Sequence, residues 1–283
     1  MNDSHQSTWL LSLLYRLLKR ALKAKLLIFS LAFIVSANSY AGRACEDQAL
    51  DANGLMKGME LALKTRNALD ASGAQVALIA RVGQDLSKYH VRYSHMGIVW
   101  RDHPEERWLV VHELNDCGTA NSQLYNEGLG NFFMDSPFAY ETLIVFQDAV
   151  FQKKLVGLLN SDMPKKLHTS HYNMLAFPFS TIYQNSNQWV LELLATASAT
   201  DVQIENRTQA QAWLMMAAYR PSTLDIPAMT RLGARMFRAN VAFDDHPFDR
   251  RMAGQIDTIT VDSVVNFMEQ RHTVSSQQVL TYP

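Results

Sequence analysis

The spacing of apolar and polar residues predicts helices and strands through most of the chain. Apolar side chains recur at helical spacing over residues 55–69, and Gly73 is placed to end that helix. Continuous or alternating apolar runs predict strands at 76–82, 91–100, 108–114 and 142–146, with a polar hairpin loop at 101–107. These strands are expected to form a small antiparallel sheet packed against helices, including the helix that begins at Ser186.

Helical spacing dominates the second half. We expect helices at 148–159, 186–199, 208–219, 227–237 and 263–270, the last of them closing the fold. Short strands are expected at 240–243 and 257–261, a loop with a short helical piece at 119–130, and irregular chain at 168–183. This order of elements predicts an α+β fold, and no repeat or linker divides the chain after residue 42.

The N-terminal segment has the order of a signal peptide. Basic residues at positions 16–25 precede an apolar run at 26–37, and Ser39 and Ala41 supply the small residues read by a signal peptidase. We therefore expect residues 1–41 to be removed and residues 42–283 to form a single domain with a C-terminal helical extension. The alternative is an uncleaved N-terminal anchor, although the apolar run is short for a span of about 20 residues.

Composition narrows the classes of partner. The chain of 283 residues is 48% hydrophobic and 19% charged, enough to build a sizeable core. Without residues 1–41 it has 21 Lys+Arg and 26 Asp+Glu, a net charge of −5. No basic stripe remains, so we expect no nucleic-acid partner. We also expect no stable membrane span after signal removal.

The two cysteines, Cys45 and Cys117, both follow the predicted cleavage site. An exported pair is a candidate disulfide, and a reactive thiol at Cys117 is the alternative. Neither cysteine has a histidine at metal-binding spacing, and the chain contains no HExxH, P-loop or GxGxxG motif. We predict no metal site and no cofactor.

Two histidines on neighbouring predicted strands are candidates for acid–base chemistry. His95 shares a strand face with Gly97, where the absence of a side chain permits close approach of a substrate or another strand. His112 lies on the strand expected to pair with it, and could orient the ring of His95. An imidazole titrates near neutral pH and can act as a general base. The alternative is a structural pair of histidines.

Ser186 begins the predicted helix at 186–199 and is the candidate nucleophile. A helix N-terminus stabilises a developing anion, and Gln184, Asn187 or a backbone N–H there could bind substrate or an oxyanion. The alternative is that Asn185 or Ser186 simply caps the helix. No Gly-x-Ser-x-Gly motif is present, so the common serine hydrolase arrangement is not indicated.

These residues resemble the circularly permuted papain-like superfamily, which includes bacterial cell-wall peptidases and lecithin:retinol acyltransferase-like enzymes. The similarity lies in residues 81–86 (RVGQDL), 94–99 (SHMGIV) and 111–113 (VHE), and then in the helix start at Ser186. The resemblance implies a papain-like core with His95 as base and His112 as orienting residue. Ser186 stands where that superfamily has its nucleophilic cysteine.

Most of the chain also resembles the exported bacterial "domain of unknown function 2145" family. The similarity lies in residues 42–46 (GRACE), 93–95 (YSH), 172–173 (YN), 184–189 (QNSNQW) and 231–247. That resemblance implies export to the periplasm or beyond, without naming a substrate.

The sequence therefore predicts an exported α+β protein with a hydrolase-like or amidase-like site for an amide or ester bond. Its expected substrate is a peptide or lipid of the cell envelope. Because serine replaces the expected cysteine, the alternatives are a catalytically inactive binding module and a purely structural envelope protein.

Overall fold

The computed structural model describes residues 51–135 and 137–282. The predicted signal peptide, its cleavage site and Cys45 lie outside these residues. The strands are β1 Val76–Val82, β2 His95–Asp102, β3 Arg107–Asn115, β4 Ser122–Gly128, β5 Ala139–Gln147, β6 Ser222–Asp225, β7 Gln255–Thr258 and β8 Val274–Thr281. The helices are α1 Ala52–Ser72, α2 Leu129–Met134, α3 Ala149–Leu159, α4 Met163–Lys166, α5 Ser186–Ser198, α6 Arg207–Met216, α7 Ala228–Phe237, α8 Phe248–Met252 and α9 Val261–Gln270.

Six of the strands form one antiparallel sheet in the order β4-β3-β2-β1-β5-β8. The remaining two, β6 and β7, form a separate antiparallel ribbon. This mixture of an antiparallel sheet with packed helices confirms the predicted α+β class. The circular permutation implied by the papain-like resemblance is untested and stays a prediction.

The central strands are buried on both faces, which explains their continuous apolar runs. Leu78 and Ala80 of β1 belong to a core cluster with α3, α5, α6 and α9. Ala77 and Ile79, which point to the opposite face, belong to a second cluster with α1 and α2. Because strand side chains alternate, helices cover both faces of the sheet.

Local signals in the sequence set the ends of several helices. Asp51 caps α1 by accepting a hydrogen bond from Gly54 N at 2.6 Å, and Gly73 ends that helix at a φ of 68°. Asp148 caps α3 as predicted, accepting from Phe151 N at 2.9 Å. These caps satisfy backbone groups that would otherwise lack an intrahelical partner.

Three sequence predictions were wrong. Residues 122–128, expected to lie in a loop, form edge strand β4, and residues 240–243, expected as a strand, are not one. The predicted closing helix α9 is followed by β8, which pairs with β5. Both β4 and β8 lie at sheet edges, where much of each strand is exposed and the sequence need not alternate apolar with polar.

The β6–β7 ribbon has a small core of its own. Leu224 and Ile256 from the ribbon pack with Ile226, Val241 and Phe243. The segment 86–91 and the loop containing Met174 and Leu175 also contribute to this cluster. Among the helices that the structure describes, none combines the length and apolar character needed to cross a membrane.

Candidate active site

The structure places the first residue of β2 against the first turn of α5. His95 begins β2 and Ser186 begins α5. Asn187 joins the two elements, because its Oδ1 accepts a hydrogen bond from Met96 N at 3.0 Å and its Nδ2 donates to Ile259 O at 3.4 Å. These hydrogen bonds hold the start of α5 against the start of β2.

His95 lies between Ser186 and His112 in a continuous chain of short contacts. Its Nδ1 is 3.0 Å from Oγ of Ser186, and its Nε2 is 2.9 Å from Nδ1 of His112. One assignment of protons satisfies both contacts: Ser186 donates to Nδ1 of His95, and Nε2–H of His95 donates to Nδ1 of His112. The structure thus brings together all three residues that the sequence singled out as candidate catalytic groups.

Glu127 extends this chain, and sequence reasoning missed it. Its Oε2 lies 3.2 Å from Nε2 of His112. The oxygen is off the direction of the N–H, so the contact is electrostatic and Nε2 makes no well-aligned hydrogen bond. Tyr125 is paired with His112 across β3–β4. Glu127, two residues after Tyr125, is the diagonal neighbour of His112 on the same face of the sheet. The misassignment of β4 as a loop hid this relationship.

Burial controls the protonation of His112, which is fully buried. Burial lowers the pKa of His112, and the Glu127 carboxylate opposes that shift only in part. A neutral His112 can accept the hydrogen bond from His95 through Nδ1. It therefore suits the orienting position in the chain.

An aromatic ring covers both histidines. The ring centroid of Phe132 lies 5.9 Å from that of His95 and 5.6 Å from that of His112. The guanidinium of Arg81 lies 5.0 Å from the same ring and donates to the carbonyl of Phe132 and the carboxylate of Asp135. Phe132 is fully buried, so this side of the histidine pair is shielded from water.

The helix cap is Asn185, not Ser186. Asn185 has extended backbone geometry, and its Oδ1 accepts from Gln188 N at 2.8 Å. Its Nδ2 donates to Oγ1 of Thr258 at 3.1 Å. The hydroxyl of Ser186 is therefore not used as the cap, and the first-turn N–H groups of Ser186 and Asn187 have no intrahelical acceptor.

Gln184 and Asn187, the predicted substrate or oxyanion residues, have amides engaged in structural hydrogen bonds. Gln184 Oε1 accepts from Thr169 N at 2.9 Å, and its Nε2 donates to Leu167 O and to Glu192 Oε2, both at 2.8 Å. The side-chain amide oxygen and nitrogen of Asn187 are likewise both hydrogen-bonded. These contacts favour the backbone N–H groups over either side chain as anion donors.

A buried polar network around Glu192 anchors α5 near the site. Glu192 is fully buried and accepts from Arg207 Nε at 2.9 Å and from Gln211 Nε2 at 2.9 Å, besides Gln184. Burial raises the pKa of Glu192, while the neighbouring Arg207 guanidinium opposes that rise. The network connects α5 with α6 and fixes the segment that leads into Ser186.

The model of one protein family covers most of this architecture. The family, described as an uncharacterized protein conserved in bacteria (DUF2145), matches residues 68–268. The chain belongs to the DUF2145 family. Membership was predicted from the sequence and is confirmed, whereas the more distant papain-like resemblance remains a prediction. No curated protein and no solved structure matched this DUF2145 chain.

The matched DUF2145 segment contains the whole candidate site. It extends from the last turns of α1 into α9 and so includes His95, His112, Glu127 and Ser186. Strand β8 and the start of α1 lie outside it. The chain of contacts described above is thus located within the part of the protein that defines the family.

Two cavities of this DUF2145 protein differ in their position relative to the site. One of about 420 Å³ lies between α1, β5 and β8 and is remote from the histidines. One of about 220 Å³ lies beside the loop after β1, lined by Val82, His90, Arg92 and Phe138 among others. Arg81, next to Val82, is the sheet partner of His95. The smaller cavity therefore begins beside the strand end that carries His95.

The remaining predictions on chemistry concern the cysteines and metal binding. Cys45 lies outside the described residues, so its pairing with Cys117 stays a prediction. Within residues 51–135 and 137–282, no group of three or more His, Cys, Asp or Glu side chains is arranged to hold a metal ion.

Proposed function

We propose that this protein is an exported hydrolase-like or amidase-like enzyme acting on an amide or ester bond at the cell envelope. Ser186 is the nucleophile, His95 the general base and His112 the residue that orients His95. One observation supports the proposal above the others: the continuous contacts of 3.0 Å and 2.9 Å that join Ser186, His95 and His112. A serine hydroxyl needs a base in direct contact, and His95 Nδ1 is in contact.

The first half-reaction follows from these contacts. As Oγ of Ser186 bonds to the carbonyl carbon, its proton passes to Nδ1 of His95. The carbonyl oxygen takes the electron pair, and the backbone N–H groups of Ser186 and Asn187 at the positive end of α5 stabilise it. His95 then returns the proton to the leaving amine or alcohol as its bond to the carbonyl carbon breaks.

The second half-reaction uses the same residues in reverse. Water gives its proton to His95 and adds its oxygen to the acyl carbon, and the proton then returns to Oγ of Ser186 as the acyl bond breaks. The imidazolium formed at His95 donates through Nε2 to His112 in both halves. Glu127 is the nearest carboxylate to that pair, and it favours positive charge on the histidines.

The substrate class follows from the proposed location. An exported enzyme meets peptides and lipids of the cell envelope, both of which contain amide or ester bonds. The cavity of about 220 Å³ beside Val82 and Arg92 is a candidate approach for such a substrate. Export itself is tested by N-terminal sequencing of periplasmic protein: a chain that begins at Met1 contradicts it.

The second candidate is a catalytically inactive binding or structural protein of the envelope. One observation favours it: Ser186 is 6% exposed and His95 is 8% exposed, so a substrate has little access without movement. A serine hydroxyl is intrinsically less reactive than the cysteine thiol expected at this position. Ser186 would then keep the arrangement of the site without its catalytic activity.

Covalent labelling separates the two candidates. We expect a small fluorophosphonate to label Ser186, with the adduct located by mass spectrometry, and labelling to be lost in Ser186→Ala and strongly reduced in His95→Ala. Ser198→Ala is the matched control, since Ser198 is on the same helix and its hydroxyl bonds to Leu194 O at 2.7 Å. Equal labelling of Ser186→Ala and the unaltered protein would favour the inactive candidate.

A further inference from the structure

Helix α7 presents its apolar side chains to solvent. Met229, Leu232 and Met236 are 78%, 54% and 57% exposed and follow one another at i, i+3 and i+7. That spacing places them in a single stripe along the helix. In a surface helix such a stripe normally faces the core, so the orientation of α7 is unusual.

Contacts on its other side fix this orientation. Ala234 packs against the small core of the β6–β7 ribbon. Arg231 donates from Nη1 to Ile226 O, next to the ribbon. The polar and small side of α7 therefore faces the protein, and the stripe of Met229, Leu232 and Met236 faces away from it.

The charged side chains of α7 itself all have one sign. Arg231, Arg235 and Arg238 lie on or directly after α7, and no acidic residue occurs between positions 226 and 243. Helix α8 adds exposed Phe248 and Met252, together with Asp249, Arg251 and Arg250, the last of which pairs with Asp257. Arg235 also pairs with Asp244, so the positive charge of α7 is offset in part, and Arg231, Arg235 and Arg238 are the charges nearest in sequence to the apolar stripe.

We propose that α7 docks onto an anionic lipid surface, with Met229, Leu232 and Met236 inserted among the lipid chains. An apolar stripe with flanking arginines is the pattern of a helix that lies in the membrane interface. A helix of ten residues has about half the length needed to span a bilayer, so it lies on the surface. Arginines near an anionic leaflet add favourable electrostatic energy.

Charge complementarity selects lipid over a second copy of the chain. A two-fold interface through α7 would place the same surface of both copies face to face. The arginines of one copy would then oppose those of the other, with no acidic residue of the helix to compensate. An anionic membrane satisfies both the apolar stripe and the positive charge.

Docking would bring the candidate site close to the membrane. Arg235 lies 3.5 Å from Asp244, and the hydroxyl of Tyr183 donates to Asp244 at 3.3 Å. Tyr183 leads directly into Gln184, Asn185 and Ser186. Delivery of a lipid-borne substrate to the site rests on the proposed function, whereas docking of α7 does not. The Ser186→Ala variant is therefore expected to dock as the unaltered protein does.

Depth-dependent quenching in the full-length chain tests the proposal whether or not the N-terminal segment is retained. An environment-sensitive fluorophore is attached through Leu232→Cys or, as the matched control, Met216→Cys, where Met216 is a 79% exposed apolar residue at the end of α6. The unaltered chain, treated alike, gives the background from its two cysteines. Vesicles of phosphatidylethanolamine and phosphatidylglycerol carry brominated acyl chains as quenchers.

We expect fluorescence at position 232 to fall by at least about half and that at 216 to stay unchanged. Arg235→Gln with Arg238→Gln is expected to raise the lipid concentration for half-maximal quenching at least about fivefold, and Arg66→Gln to leave it unchanged. Absence of quenching at 232 overturns the proposal. A concentration-dependent signal at 232 without vesicles also overturns it, in favour of a contact between copies.

Discussion

Gly97 lies opposite His112 across the β2–β3 pair, and a Cβ atom at position 97 would come within 3.1 Å of Cβ of His112. The same atom would lie 2.7 Å from Cγ1 of Val110. No side chain fits there without movement of β3. The missing side chain at Gly97 is therefore what allows His112 to approach His95.

Gly97→Ala is expected to destabilise the protein by about 1–3 kcal/mol, because Val110 and His112 must move to admit the methyl group. Urea unfolding measures the change. Gly157→Ala is the matched control, since a Cβ at this helical position of α3 meets no atom within 4 Å. That control is expected to be neutral or stabilising by up to about 1 kcal/mol. Equal stability of Gly97→Ala and the unaltered protein would show that the strands accommodate the methyl group.

Ser186→Cys is expected to create an activated thiol. The sulfur would lie beside His95 Nδ1 and at the N-terminus of α5, and both lower the pKa of a thiol. Its alkylation by iodoacetamide at neutral pH should be faster than that of Ser198→Cys near the other end of the same helix. Combination with His95→Ala should remove most of the difference. Ordinary reactivity that is insensitive to His95→Ala would argue against a papain-like site.

The same thiol also tests the positions of His112 and Glu127. Glu127→Gln is expected to shift the pH profile of alkylation, because the carboxylate favours positive charge on the histidine pair. His112→Ala should reduce the alkylation rate by releasing the ring of His95. Glu106→Gln, which changes an exposed carboxylate in the β2–β3 loop, serves as the control. An unchanged pH profile in Glu127→Gln would show that the 3.2 Å contact does not affect the site.

His112 and Glu113 are adjacent in sequence and are expected to give stability opposite dependences on pH. Burial lowers the pKa of His112 below its ordinary 6.5, so the unfolded chain binds the extra proton first and stability falls as pH drops below 6.5. Burial raises the pKa of Glu113 from 4.5 to about 8, so the folded chain holds the extra proton and stability falls as pH rises through that window.

The two single variants separate these effects. Below pH 6.5 the two contributions oppose each other, so His112→Gln should gain more stability than the unaltered protein as pH falls. Glu113→Gln should lose the fall toward pH 8, while its amide oxygen still accepts the Ser122 hydroxyl that now donates to Glu113 at 2.6 Å. Each slope is at most about 1.4 kcal/mol per pH unit, measurable by urea unfolding between pH 5 and 8. His171→Gln, at an exposed position, should follow the unaltered protein. A Glu113→Gln variant with an unchanged slope would contradict the assignment.

A bridge between Cys45 and Cys117 is expected in the exported protein, because these are its two cysteines and the proposed compartment is oxidising. Under denaturing, non-reducing conditions no thiol should titrate, and two should appear after reduction. Cys117→Ser is expected to lower the midpoint of urea unfolding, since a bridge of this span restricts the unfolded chain. Two titratable thiols before reduction would exclude the bridge.

Much of the fold and three of the four residues in the contact chain were predictable from the sequence. The runs at 76–82 and around His95 and His112 predicted adjoining strands, since strands buried on both faces have continuous apolar sequences. The apolar face of residues 186–199 predicted α5, and Ser186 was correctly placed at its start. These signals are local, depending on periodicity and capping within about a dozen residues.

The tertiary structure alone decided what lies around those residues. Edge strands β4 and β8 have polar, partly exposed sequences, so neither shows the apolar pattern that predicts a strand. Because β4 was not predicted, the diagonal contact of Glu127 with His112 was not predicted either. The hydrogen bonds that Arg207 and Gln211 of α6 donate to Glu192 of α5 join two helices, and no local pattern specifies them. The outward stripe of α7 was visible as helical spacing, but which side faces the protein is set by Ala234 and the ribbon core. Spacing along the chain fixes the elements, whereas contacts between distant segments fix the protonation, access and exposure on which chemistry depends.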